Sequence, residues 1–121
     1  MEIKYSPKNN PRVIIIQKIY NKFYNNDEIL SFPKHRYKKF IKDVVNGTIE
    51  REELIDDEIR SHLNKDLNFK RQDKVFEIII KSAIFELLYK PHTSSKIIIK
   101  EYLNASNFFI DQSQTKFLNA L

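Results

Sequence analysis

The sequence of 121 residues contains no cysteine and only one glycine, Gly47. Without cysteine the chain has no disulfide framework, no thiolate metal site and no thiolate nucleophile. A single glycine cannot supply a P-loop or a dinucleotide-binding motif, and it is too few for a sheet protein with many tight turns. The histidines, His35, His62 and His92, are spaced as no zinc motif requires. We therefore expect neither a metal nor a cofactor.

Long apolar runs are also absent from the sequence. No run approaches the ~18 residues of a membrane span. The N-terminal segment MEIKYSPKNN lacks the apolar core that a signal peptide needs. A length of 121 residues is the usual size of a single domain with one hydrophobic core. We therefore expect one cytoplasmic domain without membrane contact.

Charge is distributed unevenly along the chain. Residues 1–42 hold 10 Lys and Arg against 3 Asp and Glu, whereas residues 43–121 hold 11 against 13. A basic first third on a mildly acidic remainder indicates an anionic partner for one end of the molecule. The alternative is a solvated lysine-rich surface in a sequence that favours lysine, asparagine and isoleucine. Charge alone does not distinguish an anionic partner from a solvated lysine-rich surface.

The fold depends on whether three isoleucine triplets form strands or helices. Isoleucine is β-branched and suits a strand, but a half-buried strand would need polar residues in alternation. After the first triplet, the apolar positions Ile19, Tyr20 and Phe23 follow a three-then-four spacing, which is typical of one helix face. We therefore predict helices at all three triplets. They are Ile14–Ile16, Ile78–Ile80 and Ile97–Ile99.

Local signals place the first helix from about Pro11 to Tyr24. Asn10 can cap this helix, and a proline suits its first position, where the missing N–H costs nothing. Pro33 indicates the start of a second helix. Gly47 either ends the second helix or lies where another helix crosses too closely for a side chain.

The later helices follow from similar signals. A break in the apolar spacing near Glu52 separates the second helix from a third. The segment DKVFEIIIKSAIFELLYK is apolar on nearly every side, as a central buried helix is. Ser94 or Ser95 can cap the helix that contains the third triplet. A last helix is expected from about Asp111, with Asp111 or Ser113 as its cap, and Leu121 falls in the middle of its apolar stripe, as if the helix were cut short.

Three stretches, in this order, follow the pattern of a known family. RVIIIQKIY (residues 12–20) is similar to a first helix with arginine, an apolar run and Gln-x-x-Tyr. IIIKSAIFELL (residues 78–88) is similar to Ile-Leu-Arg-x-Ala-x-Tyr-Glu-Leu. KIIIKEYLNASNFF, followed by KFLNAL, is similar to Lys-Val-Val-Ile-Asn-Glu-x-x-x-x-Ala-x-x-Phe and then Lys-Phe-Val-Asn-Gly-Val-Leu. On these stretches the chain resembles the NusB family of bacterial transcription antitermination factors.

The helical spacing predicts an all-α fold with six or seven helices, and the resemblance implies that they form two packed bundles. The N-terminal sub-bundle would take residues about 9–50 and the C-terminal one about 51–121, within a single domain spanning residues 1–121. The resemblance also implies a function without catalysis. Family members bind the boxA element of ribosomal RNA leader transcripts as a heterodimer with NusE, a small-subunit ribosomal protein. Their complex helps RNA polymerase to read through terminators.

Two other functions stay open. The chain could be a protein-interaction scaffold of the same fold with weak RNA affinity. It could also be the RNA-binding part of a ribosomal RNA methyltransferase, since some of those enzymes carry a NusB-like domain. A homodimer of the free protein is a further alternative.

Basic and aromatic residues near the start of the chain are the predicted RNA-binding residues, because single-stranded RNA binds to basic grooves and aromatic planes. They are Lys8, Arg12, Lys18, Tyr20 and Lys22. For the tyrosine, the alternative is a core ring with an exposed tip.

A denser basic segment, PKHRYKKFIK (residues 33–42), is a predicted extension of the RNA path. Tyr37, Phe40 and Ile41 are expected to face the core, so the basic side chains would project outward. The alternative is a plain solvated face. The basic residues of this segment are Lys34, Arg36, Lys38, Lys39 and Lys42.

Acidic residues suggest a second contact surface. Glu53 and Asp57, in EREELIDDE, are candidate contacts for a basic protein such as NusE, although a solvated helix surface explains them equally well. Glu86 and Glu101 match family positions, but no nucleophile, glycine-rich loop or histidine accompanies them. We therefore expect structural hydrogen bonds from these two residues, and we predict no catalytic residue.

Overall fold

The computed structural model describes residues 9–27, 29–32, 34–62 and 74–109. This part of the chain contains helices and no strand, which confirms the all-α prediction for all three isoleucine triplets. The expected number of six or seven helices is not matched, since the described part contains five. They are α1 (Pro11–Tyr24), α2 (Lys38–Glu50), α3 (Glu52–His62), α4 (Lys74–Tyr89) and α5 (Ser95–Ser106). The last helix expected, from about Asp111, lies outside the described residues.

Side-chain caps set the start of two helices, as predicted. The Asn10 side-chain oxygen accepts hydrogen bonds from the backbone N–H groups of Arg12 and Val13 at 3.0 and 3.3 Å. At α5, the Ser94 hydroxyl accepts from the N–H of Ile97 at 3.3 Å. Each cap satisfies backbone donors that have no partner inside the helix. None of the helices just described is long and apolar enough to cross a membrane.

Helix α2 begins later than the proline signal predicted. Residues 34–37 form a turn, and the helix starts at Lys38. The His35 ring accepts a hydrogen bond from the N–H of Tyr37 at 2.9 Å, and its carbonyl oxygen accepts from the N–H of Lys38 at 3.1 Å. The hydrogen bond from the Tyr37 N–H to the His35 ring competes with a helical turn. The helix start expected at Pro33 was therefore wrong, because residues 34–37 are not helical. The break expected near Glu52 is confirmed, because α2 ends at Glu50.

Helices α1 and α4 run antiparallel through the core. Arg12, in the first turn of α1, forms an ion pair with Glu86 near the end of α4. Near the opposite end of α1, the Phe23 ring lies 3.3 Å from the ammonium of Lys74, the first residue of α4. Buried side chains from all five helices contribute to one core. The division into two sub-bundles near residue 50 stays a prediction.

Gly47 allows α2 to approach α4. The residue is buried inside α2, and its φ angle is not positive. A Cβ atom added there would overlap the ring of Phe85 on α4. The close crossing is therefore confirmed, and the alternative in which Gly47 ends the helix was wrong.

Helix α4 is central, as its apolar sequence predicted, and it packs against α1, α2, α3 and α5. It is not buried on every side, however. Lys81 and Glu86 are buried, whereas Leu87 and Leu88 are exposed. Because Glu86 faces the core, the next two residues are rotated towards solvent by 100° per residue. Burial was therefore wrongly expected in the last turn.

Candidate nucleic-acid interface

Exposed basic residues surround the start of α2. Ile41 is buried and Phe40 packs against the core, so the charged side chains of this segment face outward, as predicted. All of these basic side chains are exposed. We call them the basic cluster, and it consists of Lys34, Arg36, Lys38, Lys39 and Lys42.

His35 holds the basic cluster beside the start of α1. Its Nε2 atom lies 2.9 Å from the carbonyl oxygen of Asn9, across 26 residues of sequence. Because Nδ1 accepts from the N–H of Tyr37, the neutral ring carries its proton on Nε2 and donates to Asn9. The structure thus places the basic cluster beside the start of the first helix, a contact that the sequence did not show. Sequence reasoning had considered this histidine only as a metal ligand.

The N-termini of α1 and α2 add positive electrostatic potential near the basic cluster. Neither α1 nor α2 has an acidic residue in its first turn. The residue that precedes α2, Tyr37, makes no side-chain capping hydrogen bond. Backbone N–H groups at a helix N-terminus carry a partial positive charge, which favours anions. The surface around the basic cluster is therefore suited to a polyanion.

Arg12 is committed to the interior of the protein. Its Nη2 and Nε atoms donate to the two carboxylate oxygens of Glu86 at 2.8 and 3.3 Å. The guanidinium carbon also lies 5.0 Å from the Phe40 ring and 5.7 Å from the Tyr102 ring. The Arg12 side chain is 12% exposed and that of Glu86 is fully buried. Burial, and then the charge of Glu86, raise the pKa of Tyr102 well above its ordinary value.

The remaining predicted RNA-binding residues lie further along α1. Lys22 donates a hydrogen bond to the carbonyl oxygen of Asn26 at 2.6 Å. The Tyr20 ring is partly buried against the core and lies 4.6 Å from the ring of Tyr24. Lys18 and Tyr20 line a surface groove. From Arg12 to Lys22 the helix advances about 15 Å. The predicted RNA-binding residues are therefore spread along α1 and do not form one cluster at its start. Lys8 lies outside the described residues.

The acidic candidates lie on the surface of α3. Glu53 and Asp57 are both exposed and one helical turn apart, with Leu54 57% exposed beside them. Asp57 forms an ion pair with Arg60 on the same helix. Together the residues present an acidic surface with an apolar side chain, and we call it the α3 face.

Sequence reasoning missed an ion cluster between α3 and α4, in which Lys81 is buried while Glu52 and Asp56 reach the surface. The Lys81 ammonium lies 2.8 Å from Glu52, 3.0 Å from Glu77 and 3.2 Å from Asp56. Burial lowers the pKa of Lys81, but hydrogen bonds and charge from Glu52 and Glu77 outweigh it and raise the pKa to about 12. Burial likewise raises the pKa of Glu77, yet Lys81 and Lys74 hold it below its ordinary value. No group of acidic and histidine residues in the described part of the chain could hold a metal ion.

Comparison with known proteins identifies the family. Residues 9–121 match the sequence profile of the NusB family. The chain belongs to the NusB family. The transcription antitermination protein NusB of Lysinibacillus sphaericus is 33% identical over 82 residues, which are 68% of this chain and 64% of that protein. NusB of Ligilactobacillus salivarius is 34% identical over 97 residues, which are 80% and 67% of the two chains.

NusB of Staphylococcus haemolyticus is 38% identical over 82 residues, which are 68% of this chain and 62% of that protein. The chain spans about half to two thirds of the length of the curated NusB proteins that it matches. No solved structure matches this chain.

The structure connects two of the NusB-like stretches by a buried contact. Arg12 begins the first of them and Glu86 lies in the second, and the two residues form the buried ion pair. Structural hydrogen bonding by Glu86 is thereby confirmed. Sequence reasoning had singled out both residues but had not paired them. The signal that could have done so is the acidic residue within the apolar stretch IIIKSAIFELL, because a carboxylate needs a cationic partner when it is buried.

Proposed function

We propose that this chain acts without catalysis as a transcription antitermination factor that binds boxA-type RNA together with NusE. Membership of the NusB family supports the proposal, as do the curated relatives, which are named transcription antitermination proteins. The structural observation that carries it is the hydrogen bond between His35 and Asn9. This bond places an exposed basic cluster beside the first helix, where a phosphate backbone can be neutralised.

The proposed contacts divide between two regions. The basic cluster would bind phosphates, with Lys34, Lys38, Lys39 and Lys42 as its exposed ammonium groups. Lys18, Tyr20 and Lys22 would extend the path along α1, and Lys8 would precede it. For Arg12, the described contacts with Glu86 support a role in holding the fold rather than a phosphate contact. Substituting this residue would therefore test stability first and RNA binding only indirectly.

A titration of boxA RNA at several salt concentrations tests the proposal. Each phosphate contact on a single strand contributes about −0.7 to the slope of log K against log salt. Lys38→Ala and Lys39→Ala should each weaken binding and flatten that slope by about this amount. Both side chains are exposed, so neither substitution should change stability by more than ~0.5 kcal/mol.

Lys96→Ala is the matched control, because Lys96 is an exposed lysine on α5, outside the basic cluster. Equal slopes for Lys38→Ala, Lys39→Ala and the control would contradict an RNA path across the basic cluster. A protein that binds NusE but shows no preference for boxA over a scrambled RNA would instead be a scaffold with weak RNA affinity.

The α3 face is the proposed contact for NusE in the antitermination complex of RNA polymerase. Ribosomal proteins are commonly basic, and Glu53 and Asp57 are exposed acids that can steer such a partner. Leu54 is 57% exposed between them, and an exposed apolar side chain can be buried when a partner binds.

A further inference from the structure

Both ring nitrogens of His35 make hydrogen bonds to the backbone, and the two bonds need opposite roles. Nδ1 accepts from the N–H of Tyr37 at 2.9 Å, two residues further along the chain. Nε2 lies 2.9 Å from the carbonyl oxygen of Asn9, which can only accept. A neutral imidazole offers one acceptor and one donor, so this arrangement requires the neutral ring.

A protonated His35 ring cannot keep both hydrogen bonds. Imidazolium carries a proton on each nitrogen, so Nδ1 would become a donor that faces the N–H donor of Tyr37. Nε2 carries a proton in both forms, so its bond to the Asn9 carbonyl can persist. Histidine is the side chain whose ordinary titration falls between pH 5 and 8, so mild acid is enough to change these roles.

The segments around His35 offer the new Nδ1 proton no carboxylate. Residues 9–17 contain one charged side chain, that of Arg12, and its charge is paired with Glu86. Residues 34–42 contain no acid, and the next residue of α2, Asp43, pairs with Lys90. The helix N-terminus adds a partial positive charge of its own. The cationic side chains nearest in sequence to His35 are Lys34, Arg36, Lys38 and Lys39.

We propose that protonation of His35 opens the turn before α2, so that this histidine is a pH-sensitive switch at the start of the helix. The neutral ring restrains Tyr37, which precedes α2 and makes no side-chain capping hydrogen bond. In the same turn, the His35 carbonyl oxygen accepts from the N–H of Lys38 at 3.1 Å. Loss of the Nδ1 bond frees the Tyr37 N–H, and the first turn of α2 frays while Nε2 keeps its contact with Asn9. The switch belongs to the chain alone and needs neither RNA nor a protein partner.

Amide hydrogen exchange at about pH 7.5 and about pH 5.5 tests the switch, because this range spans the titration of histidine. After correction for the intrinsic exchange rates, protection of the Tyr37 amide should fall about threefold to tenfold in acid, as expected for one lost hydrogen bond. The amide of Ile79, which is buried in α4, should keep its protection. Glu77 and Lys81 stay charged over this range, so the ion cluster between α3 and α4 does not contribute.

His35→Asn removes the titration but keeps the acceptor, because an asparagine side-chain oxygen can accept from the backbone N–H two residues further on. Protection of the Tyr37 amide in this variant should be the same at both pH values. His92→Asn is the matched control, since His92 is an exposed histidine in the turn after α4. It should show the same loss of Tyr37 protection as wild type.

Nitrogen-15 spectra of the histidine rings give a second readout in the wild-type protein, which does not depend on how a variant folds. His35 should carry its proton on Nε2 at the higher pH, and both ring nitrogens should shift in acid with the same midpoint as the Tyr37 amide signal. Tyr37 protection that persists while the ring titrates would overturn the switch, as would an equal loss of protection in wild type and His35→Asn. The proposed function is tested separately by RNA titration, and it stands in either case.

Discussion

Arg12 lies in the first turn of α1 with its guanidinium between the carboxylate of Glu86 and two aromatic rings. Arg12 was predicted to contact RNA because it is a basic residue at the start of the first helix. Local sequence shows neither the partner of such a side chain nor its burial, so the ion pair was missed. The partner is 74 residues away along the chain. The sequence pattern singled out Arg12, but tertiary contacts determine that its side chain pairs with Glu86.

Removing Arg12 should destabilise the protein strongly. Arg12→Ala leaves Glu86 buried without its counter-charge, and breaking one partner of a buried pair costs about 3–5 kcal/mol. The free energy of unfolding in urea measures this loss. Arg60→Ala is the control, since it removes an exposed ion pair with Asp57 that should contribute at most about 1 kcal/mol. Equal losses in the two variants would show that the Arg12 pair is not buried in solution.

A second prediction concerns the close approach of α2 to Phe85 at Gly47. Replacing a helical glycine normally gains up to about 1 kcal/mol in helix propensity. Gly47→Leu should nevertheless destabilise by ~1–3 kcal/mol, because the new side chain collides with Phe85. Chemical denaturation gives the difference, and Asn104→Leu, at an exposed position of α5, controls for the added apolar surface. Phe85→Leu should reduce the cost of Gly47→Leu, and a cost that stays the same would exclude the close crossing as its cause.

At the scale of whole helices, local signals predicted some boundaries and tertiary contacts determined others. Helix α1 has the predicted bounds, because Asn10 caps it with its own side chain. Helix α2 starts several residues after the proline, because His35 forms hydrogen bonds to Tyr37 and Asn9 instead of joining a helix. The Asn10 cap and the hydrogen bond between His35 and Tyr37 both lie within a few residues of the boundaries that they set. The contact with Asn9 is long-range, so no local pattern encodes it.

The ion cluster between α3 and α4 predicts how stability depends on pH. The pKa of Glu77 is lower in the folded protein than its ordinary value of 4.5, so its contribution is full above that pH and is lost on acidification. The pKa of Lys81 is raised from 10.5 to about 12, so its contribution is full below pH 10.5 and is lost as pH rises towards 12. Both contributions are therefore present between about pH 5 and pH 10.

Lys81→Met should flatten the acid side of this profile. The substitution removes the ammonium that lowers the pKa of Glu77 most, so less stability remains to be lost below pH 4.5. Unfolding free energies between pH 3 and pH 7 test this, with Lys90→Met as the control for a more exposed ion pair with Asp43. A Lys81→Met profile parallel to that of wild type in acid would show that Glu77 is not coupled to Lys81.

The whole molecule has charge of opposite sign on two surfaces. Composition predicted a basic first third, but it could not show that residues 34–42 lie beside the start of α1, which depends on the contact between His35 and Asn9. The α3 face is acidic, and the ion cluster around Lys81 pairs two other acids of α3, Glu52 and Asp56. We therefore expect RNA and a basic protein to bind at different surfaces.

If RNA and NusE bind at different surfaces, one substitution should weaken the binding of one partner and leave the other unchanged. Glu53→Lys should weaken NusE binding, because it replaces an exposed acid with a like charge facing a basic partner, and charge reversal at a rim acts mainly through the association rate. The same variant should bind boxA RNA, in the absence of NusE, as tightly as wild type or more so. Lys38→Ala should do the reverse, weakening RNA binding while leaving NusE binding intact. Asp27→Lys, an exposed acid in the loop after α1, controls for the change in net charge. Isothermal titration with each partner alone measures both affinities, and a Glu53→Lys variant no different from Asp27→Lys towards NusE would place the NusE contact away from the α3 face.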